Sequence, residues 1–388
     1  MNPNRVLVSI RKVDAIEPLT VKNGEPARTE IVRIGGWKAT ATVGEFHAGD
    51  LVVFAETDSV FPVEDRWSFL ERCHYRIKTQ KYNNLRDQYG NPVISQGLVL
   101  STNVLPEKMV ISEGMDVTKV LGVTHAPEQD EDEFEANAEF GNTKVTPKFK
   151  WLPKGLYNYL MKYQWFRTIS LPKKEYKGFP KEVSKTDEER IQNCGDIVNK
   201  NTTWTATEKV DGMSSTYLLK RKGRKKFEFI VCSRNNRLTK PDGSAQWAMA
   251  KKYNIEAGLK RLFSTNAFKD CQWIAIQGEC AGPKIQKNPQ GLFENRLFVF
   301  NLISPYGRTK SSIAKSIMED IGLEWVPILE TGLDLHGKTE ADLLEMANGK
   351  STLNPDKMRE GIVFRAENPD MDLSFKAVSP EYLLKKGE

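Results

Sequence analysis

The hexapeptide Thr207-Glu208-Lys209-Val210-Asp211-Gly212 sets a lysine, an aspartate and a glycine at the spacing K-x-D-G. A lysine at a strand-to-turn position can present its amine at the floor of a nucleotide pocket. Gly212 then lets the backbone pass close to a ligand, and Asp211 can orient a sugar hydroxyl or the amine itself. An amine attacks a phosphate only after losing its proton, and nearby positive charge from a metal ion or a second lysine favours that loss. Such chemistry therefore calls for another lysine and at least two carboxylates further along the chain. Composition alone yields K-x-D-G in roughly one chain in ten of this length, so the hexapeptide by itself decides little.

The later sequence supplies the missing groups. Cys232-Ser233-Arg234-Asn235, Gln277-Gly278-Glu279, Phe298-Val299-Phe300-Asn301, Glu360-Gly361-Ile362-Val363-Phe364 and Ser374-Phe375-Lys376 follow in that order. Taken singly, Phe300 reads equally as core, Glu279 and Glu360 as turn carboxylates, and Lys376 as a surface lysine on an edge strand. Taken together from Lys209 to Lys376, the six elements resemble motifs I, Ia, III, IIIa, IV and V of the covalent nucleotidyltransferase superfamily. That superfamily holds the ATP- and NAD-dependent ligases and the mRNA capping enzymes.

The resemblance implies a role for each residue. Lys209 becomes the nucleophile that carries AMP, with Glu208, Asp211 and Gly212 beside the nucleotide. Arg234 contacts ribose or phosphates, Glu279 the ribose or a metal, and Phe300 stacks on the base. Glu360 organises a divalent cation, Mg2+ or Mn2+, and Lys376 touches the α-phosphate. One departure is plain: Ser374 stands where related phage-type RNA ligases have a second lysine, which leaves Lys376 to act alone.

The elements that must position these groups are legible in outline. Residues 1–125 read as short strands: Arg5 to Val13, Thr29 to Ile34 and Lys38 to Val43 alternate, and Leu51-Val52-Val53-Phe54-Ala55 is continuously apolar. Strands at this spacing, separated by Gly35-Gly36 and Gly49-Asp50, suggest a small closed barrel of the OB type, a fold that binds oligonucleotides. Tyr75 to Lys81 carries basic side chains, and Arg76 and Lys78 on one strand face would suit phosphates; the alternative is an edge strand protected by charge. Beyond residue 145 helices are expected over Tyr157 to Trp165, Thr186 to Gln192, Ala248 to Phe263 and Ser311 to Ile321, mixed with strands from Thr203 onward. The expected architecture is α+β: an OB-type β-barrel over 1–125, an acidic linker over 126–145, and a nucleotidyltransferase domain of antiparallel sheets flanked by helices over 146–388.

Charge is unevenly spread although the net value is only +6. Residues 128–139 hold seven acids and no base, whereas Lys144 to Lys185 holds eleven Lys or Arg against two acids. Residues 220–226 hold six basic side chains in seven positions. Such blocks either touch a polyanion or form a solvated surface. Arg76, Lys78, Lys81, Lys222 and Lys225 are the candidate nucleic-acid contacts. The five cysteines have no C-x-x-C pair and the four histidines do not cluster, which argues against a disulfide framework and a zinc site. No signal peptide or membrane span is expected, so the reading is a cytoplasmic protein, and a monomer.

Glu388 lies only twelve residues after Lys376, so an OB domain of the kind that follows motif V in DNA ligases and capping enzymes is not expected. The barrel-first order, with Gly49-Asp50-Leu51-Val52-Val53-Phe54, Arg76-Ile77-Lys78-Thr79 and Ser95-Gln96-Gly97-Leu98, resembles RNA ligases with an N-terminal OB domain. This implies an ATP-dependent ligase joining 3′-OH and 5′-phosphate ends, at nicks whose 3′-OH strand ends in RNA, through lysyl-AMP and an adenylylated 5′-phosphate. The alternatives are a GTP-dependent capping-type nucleotidyltransferase and a catalytically inactive nick-binding protein.

Overall fold

The computed structural model describes residues 6–125, 152–153, 156, 160, 177–186, 188–223, 226–238, 243–283, 285–368 and 371–386. The expected acidic linker, Lys225 and most of the helix expected over Tyr157 to Trp165 lie outside the described residues. The chain divides into two compact units. One comprises Asn2–Glu128, Asp187–Lys209 and Pro327–Glu388, the other Gln129–Thr186 and Val210–Val326.

In the first unit, β1 (Val8–Lys12), β5 (Leu51–Ala55) and β9 (Leu98–Leu100) form one antiparallel sheet in the order β1-β5-β9. A five-stranded sheet runs β4 (Trp37–Thr42), β3 (Pro26–Ile34), β2 (Ala15–Val21), β7 (Gln80–Arg86), β8 (Pro92–Ser95). The two-residue strands β6 (Ser59–Val60) and β10 (Thr124–His125) pair with each other. Strand β5 explains its own unbroken apolar sequence: Val53 and Ala55 enter a core with Ile10, Phe61 and Trp67, while Val52 and Phe54 enter another with Ile34 and Trp37. Successive side chains point to opposite faces, and both faces are covered. Strand β2 escaped sequence reading because it holds Pro18 and shows no clean alternation. Arg76 and Lys78 precede β7, and of the two only Arg76 makes an isolated bridge, to Val60.

The same unit contains the sheet that carries the expected nucleophile, in the order β12 (Glu189–Arg190), β23 (Ser374–Val378), β22 (Gly361–Ala366), β13 (Trp204–Lys209), β21 (Ile328–Leu333). Its apolar face is Trp204, Ala206, Ile362, Phe364, Phe375 and Ala377, packed with Ile191, Leu343 and Ala347. Phe364 and Phe375 stack with ring centroids 4.9 Å apart, and Trp204 meets Phe375 edge-on at 5.2 Å. Burying one such side chain contributes about 1.5–3 kcal/mol, enough to hold the strands in a single register. Among the described residues of Thr186 to Gln192 no α-helix forms. Glu188 is drawn to Arg365, Arg190 pairs in parallel with β23, and Ile191–Asn193 closes as a 3-10 turn. Tertiary pairing overrides local propensity there.

The second unit is built on one large sheet, β11 (Lys177–Gly178), β16 (Asn236–Leu238), β15 (Phe227–Cys232), β14 (Met213–Arg221), β17 (Trp273–Ala281), β18 (Arg296–Ser304) and β19 (Gly307–Arg308), with β20 (Glu324–Trp325) also on β18. The helix expected over Ala248 to Phe263 is two helices, α1 (Ala245–Lys252) and α2 (Ile255–Leu262). Asn254 breaks them with φ 48°, a left-handed conformation that asparagine tolerates. The expected helix over Ser311 to Ile321 is α3 (Ser311–Asp320). Helices α4 (Glu340–Ala347) and α5 (Pro380–Lys386) belong to the first unit. Among the described residues no helix is long and apolar enough to cross a membrane.

Candidate active site

Lys209 ends β13, the strand between β22 and β21. Lys209 pairs with Gly361, Thr207 with Val363, and Val363 in turn with Lys376. Directly paired and i, i+2 residues share a face. Thr205, Thr207, Lys209, Arg365 and Lys376 therefore line one polar face of the sheet whose other face is the core. The Lys209 Nζ lies 2.5 Å from Glu360 Oε1, and both side chains are mostly withdrawn from solvent, 25% and 15% exposed. Gly361 is what lets β22 lie this close to β23 at the same point: a Cβ there would stand 2.2 Å from the Ala377 carbonyl oxygen.

Glu360 is held from behind. Arg359 donates to the carbonyls of Met346 (2.7 Å), Ala347 (3.1 Å) and Asn348 (2.6 Å), which are the unsatisfied acceptors at the end of α4. The amide of Ser379 donates to the Glu360 carbonyl at 2.9 Å. Glu208, one residue before the lysine, points to the core side and is 2% exposed. Its carboxylate accepts from the Ser351 hydroxyl and from the Thr352 amide at 2.7 Å. In this chain it anchors the segment that leads to Glu360. Sequence reasoning set Glu208 beside the nucleotide and did not foresee this bond, because Ser351 and Thr352 belong to no motif. Arg365, also missed, is buried between Glu188 (3.0 Å) and Thr207 (3.0 Å).

The second unit carries Asp211, Gly212, Arg234, Glu279 and Phe300. A Cβ on Gly212 would meet the Cys280 carbonyl oxygen at 2.2 Å and Glu279 Cγ at 3.0 Å, so only glycine lets motifs I and III lie this close. Glu279, half-buried on β17, pairs with Ser214 and Phe298. Across β17 and β18, Gly278 pairs with Val299 while Gln277 pairs with Asn301, which leaves Phe300 as the extra residue of a β-bulge. A bulge redirects the side chain it carries; Phe300 is half-exposed whereas Phe298 is fully buried. Asn301 then donates to Gln277 at 2.9 Å, and Gln277 to the Ser184 carbonyl at 2.8 Å, pinning the bulge. Arg234 lies in the turn after β15, closed by the Ser233 amide on the Asn236 carbonyl at 3.0 Å.

The expected nucleic-acid contacts separate by environment. Arg76 Nη2 is 2.6 Å from Asp58 Oδ1, and Arg190 Nη2 is 3.7 Å from Asp58 Oδ2. Burial pushes the Asp58 carboxyl up, but the Arg190 and Arg76 guanidiniums outweigh it and hold it below the ordinary carboxylate range. Lys78 is half-buried and Lys81 exposed. In the basic run, Lys220 pairs with Glu182, and Lys222 with Glu228 at 2.9 Å. No group of three or more His, Cys, Asp or Glu that could hold a metal occurs among the described residues.

Comparison with known proteins gives matches for both halves of the chain. Residues 202–378 match the family model described as RNA ligase, and residues 7–102 match one described as an OB-fold domain. The chain is similar to the Naegleria gruberi RNA ligase solved with PPi (28% identity, TM-score 0.73, covering 99% of this chain and 100% of that one). It is also similar to a lysine-to-alanine variant of that ligase with ATP and Mn (27%, 0.72, 99% and 98%). A glutamate-to-alanine variant with AMP and Mn compares equally well (28%, 0.72, 98% and 99%). No curated protein sequence matches. Residues 202–378 thus form an RNA ligase domain of the covalent nucleotidyltransferase kind, with an OB-fold domain ahead of it.

Proposed function

We propose that this protein seals RNA ends with ATP, joining a 3′-OH to a 5′-phosphate at nicks in duplexes whose 3′-OH strand ends in RNA. The observation that carries this reading is the Lys209–Glu360 pair at the end of β13, with Lys376 on the same face of the sheet. The domain limits that go with it are 1–125 for the OB domain, 126–145 for the linker and 146–388 for the ligase domain, acting as a cytoplasmic monomer.

In the first step the Lys209 amine attacks the α-phosphate of ATP. A P–N bond forms, the bond to the bridging oxygen breaks, pyrophosphate leaves, and the lysine gives up its proton. The Glu360 carboxylate pairs with the amine at 2.5 Å and has to release it for attack. Glu360 in one unit and Glu279 in the other each offer a carboxylate to a divalent cation. One or two carboxylates without a closed cage suit Mg2+ or Mn2+, which keep water and phosphate ligands. The cation supplies charge neutralisation at the phosphates when bound. Lys376 and Arg234 neutralise phosphate charge, Phe300 stacks on adenine, and Asp211 orients the ribose. AMP then passes to the 5′-phosphate of one end, and the 3′-OH of the other attacks that phosphate and expels AMP. Lys81 and the OB face hold the substrate strand.

Incubation of wild type and Lys209→Ala with α-labelled ATP or GTP, and magnesium or manganese, tests the first step. Label on the denatured wild type alone, from ATP alone, followed by transfer to a 5′-phosphorylated nicked RNA duplex, is the expected result. Wild-type protein that takes no label after pyrophosphatase treatment, or takes it from GTP, overturns the reading.

A further inference from the structure

The hairpin that carries Glu279 on β17 and Phe300 on β18 is closed by residues 282–295, a loop no motif accounts for. Phe293 in this loop is fully exposed, at 102% of its reference area. It is not exposed for want of structure. Ile285, Gln290 and Leu292 are buried at 1%, 6% and 9% and root the loop. The Asn288 side chain donates to the Leu292 carbonyl at 2.8 Å and accepts from the Leu292 amide at 2.9 Å. Gln286, Lys287 and Asn288 all have left-handed backbones, with φ of 47°, 59° and 53°. Left-handed non-glycine residues cost of order 1 kcal/mol or more each, and such strain collects at functional sites. Leu292 is pinned inward, and the neighbouring Phe293 ring stands in solvent.

The chemistry of the loop selects its partner. Ile285 and Leu292 are buried, so the loop offers one ring and not the extended apolar patch a protein interface needs. Lys287 is exposed, and Lys252 bonds Glu294 at 3.0 Å and the Asn295 carbonyl at 2.7 Å, which offsets the loop's one acid. An exposed aromatic face and an exposed cation on one loop fit a nucleobase and a phosphate. We propose that Phe293 is a stacking platform for a nucleobase of the RNA substrate next to the joined ends, with Lys287 on the neighbouring phosphate. Because the loop closes the hairpin that bears Glu279 and Phe300, this would register the RNA end against the nucleotide-handling strands. The proposal rests on the RNA-sealing reading above.

The test uses the full-length protein as wild type, Phe293→Ala, Phe293→Leu and Phe293→Trp. Sealing kinetics are followed on nicked RNA duplexes carrying 2-aminopurine at single positions around the nick. Expected are a rise of about tenfold in the KM for RNA with Phe293→Ala and Phe293→Leu, recovery with Phe293→Trp, and fluorescence quenching at one position that only the ring-bearing proteins show. Leucine keeps the bulk but not the π-face, so its rescue would overturn stacking. Equal KM and equal quenching in all four proteins, or loss only of a protein contact, would overturn the proposal too. Lysyl-AMP formation without RNA separates the two readings. If it forms and the RNA kinetics do not change, stacking alone falls; if wild type forms none, the sealing reading falls first.

Discussion

Lys209 Nζ and Glu360 Oε1 stand 2.5 Å apart because Lys209 and Gly361 are register partners at the end of β13 and β22. The proposed nucleophile and the carboxylate that pairs with it are thus set by one backbone ladder. Removing the carboxylate charge removes both the ion pair and the proposed cation ligand. Glu360→Gln is expected to lower the rate of lysyl-AMP formation by roughly a hundredfold or more, the scale for losing one charge-handling group at a phosphoryl-transfer site. Single-turnover labelling with α-labelled ATP across pH reads it; near-wild-type rates would remove Glu360 from the mechanism.

Gly361→Ala drives a Cβ to 2.2 Å from the Ala377 carbonyl oxygen, backbone that cannot step aside without parting β22 from β23. A loss of about 1–3 kcal/mol is expected, read as a lower thermal midpoint, together with loss of lysyl-AMP formation. An unchanged midpoint would show that the ladder is softer than its register implies.

Glu208→Ala leaves the Ser351 hydroxyl and the Thr352 amide without their acceptor in a site 2% exposed. Buried groups stripped of a partner cost about 1–3 kcal/mol. Amide hydrogen exchange should rise in residues 348–360. If nucleotide affinity falls while exchange there stays fixed, Glu208 contacts the nucleotide instead.

Asp58 gives a pH signature. Burial raises its carboxyl, Arg190 and Arg76 more than compensate, and its folded pKa lies below the ordinary 3.8. A lowered folded pKa contributes stability that is full above the unfolded value and is lost as pH falls through the folded one. Asp58→Asn also strands two guanidiniums, at a cost of about 3–5 kcal/mol. Urea midpoints measured from neutral pH downward should therefore fall more steeply for wild type than for Asp58→Asn below about pH 4. Parallel curves would deny the ion pairs any role in acid stability.

Phe300→Ala removes the ring on the bulge while the Asn301–Gln277–Ser184 chain keeps the backbone in place. Stacking on a base is worth about 1–3 kcal/mol, so the KM for ATP should rise about tenfold, with Phe300→Tyr close to wild type. An equal loss in both would mark Phe300 as packing.

Much of this was legible in the residues. Alternation marked β3 and β4, the continuous run 51–55 marked a strand covered on both faces, and the order of motifs placed Lys209, Glu360 and Lys376 before any coordinates. What failed was local. The pattern at 186–192 reads as helix, yet Glu188 and Arg190 take partners 177 and 186 residues further on. The break at Asn254 depends on a single left-handed residue, and the charge at Arg76 read as open until Asp58 was seen beside it.

The sequence by itself determined which groups can do chemistry and in what order they lie, because residue type sets nucleophilicity, charge and stacking, and short spacings survive in one dimension. Only the tertiary structure decided which of them meet. Register places Lys209 against Gly361, a one-residue bulge turns Phe300 outward, and Glu208 is committed to Ser351, 143 residues away. Strand pairing and burial act between residues remote in the chain, and no local pattern encodes their partners.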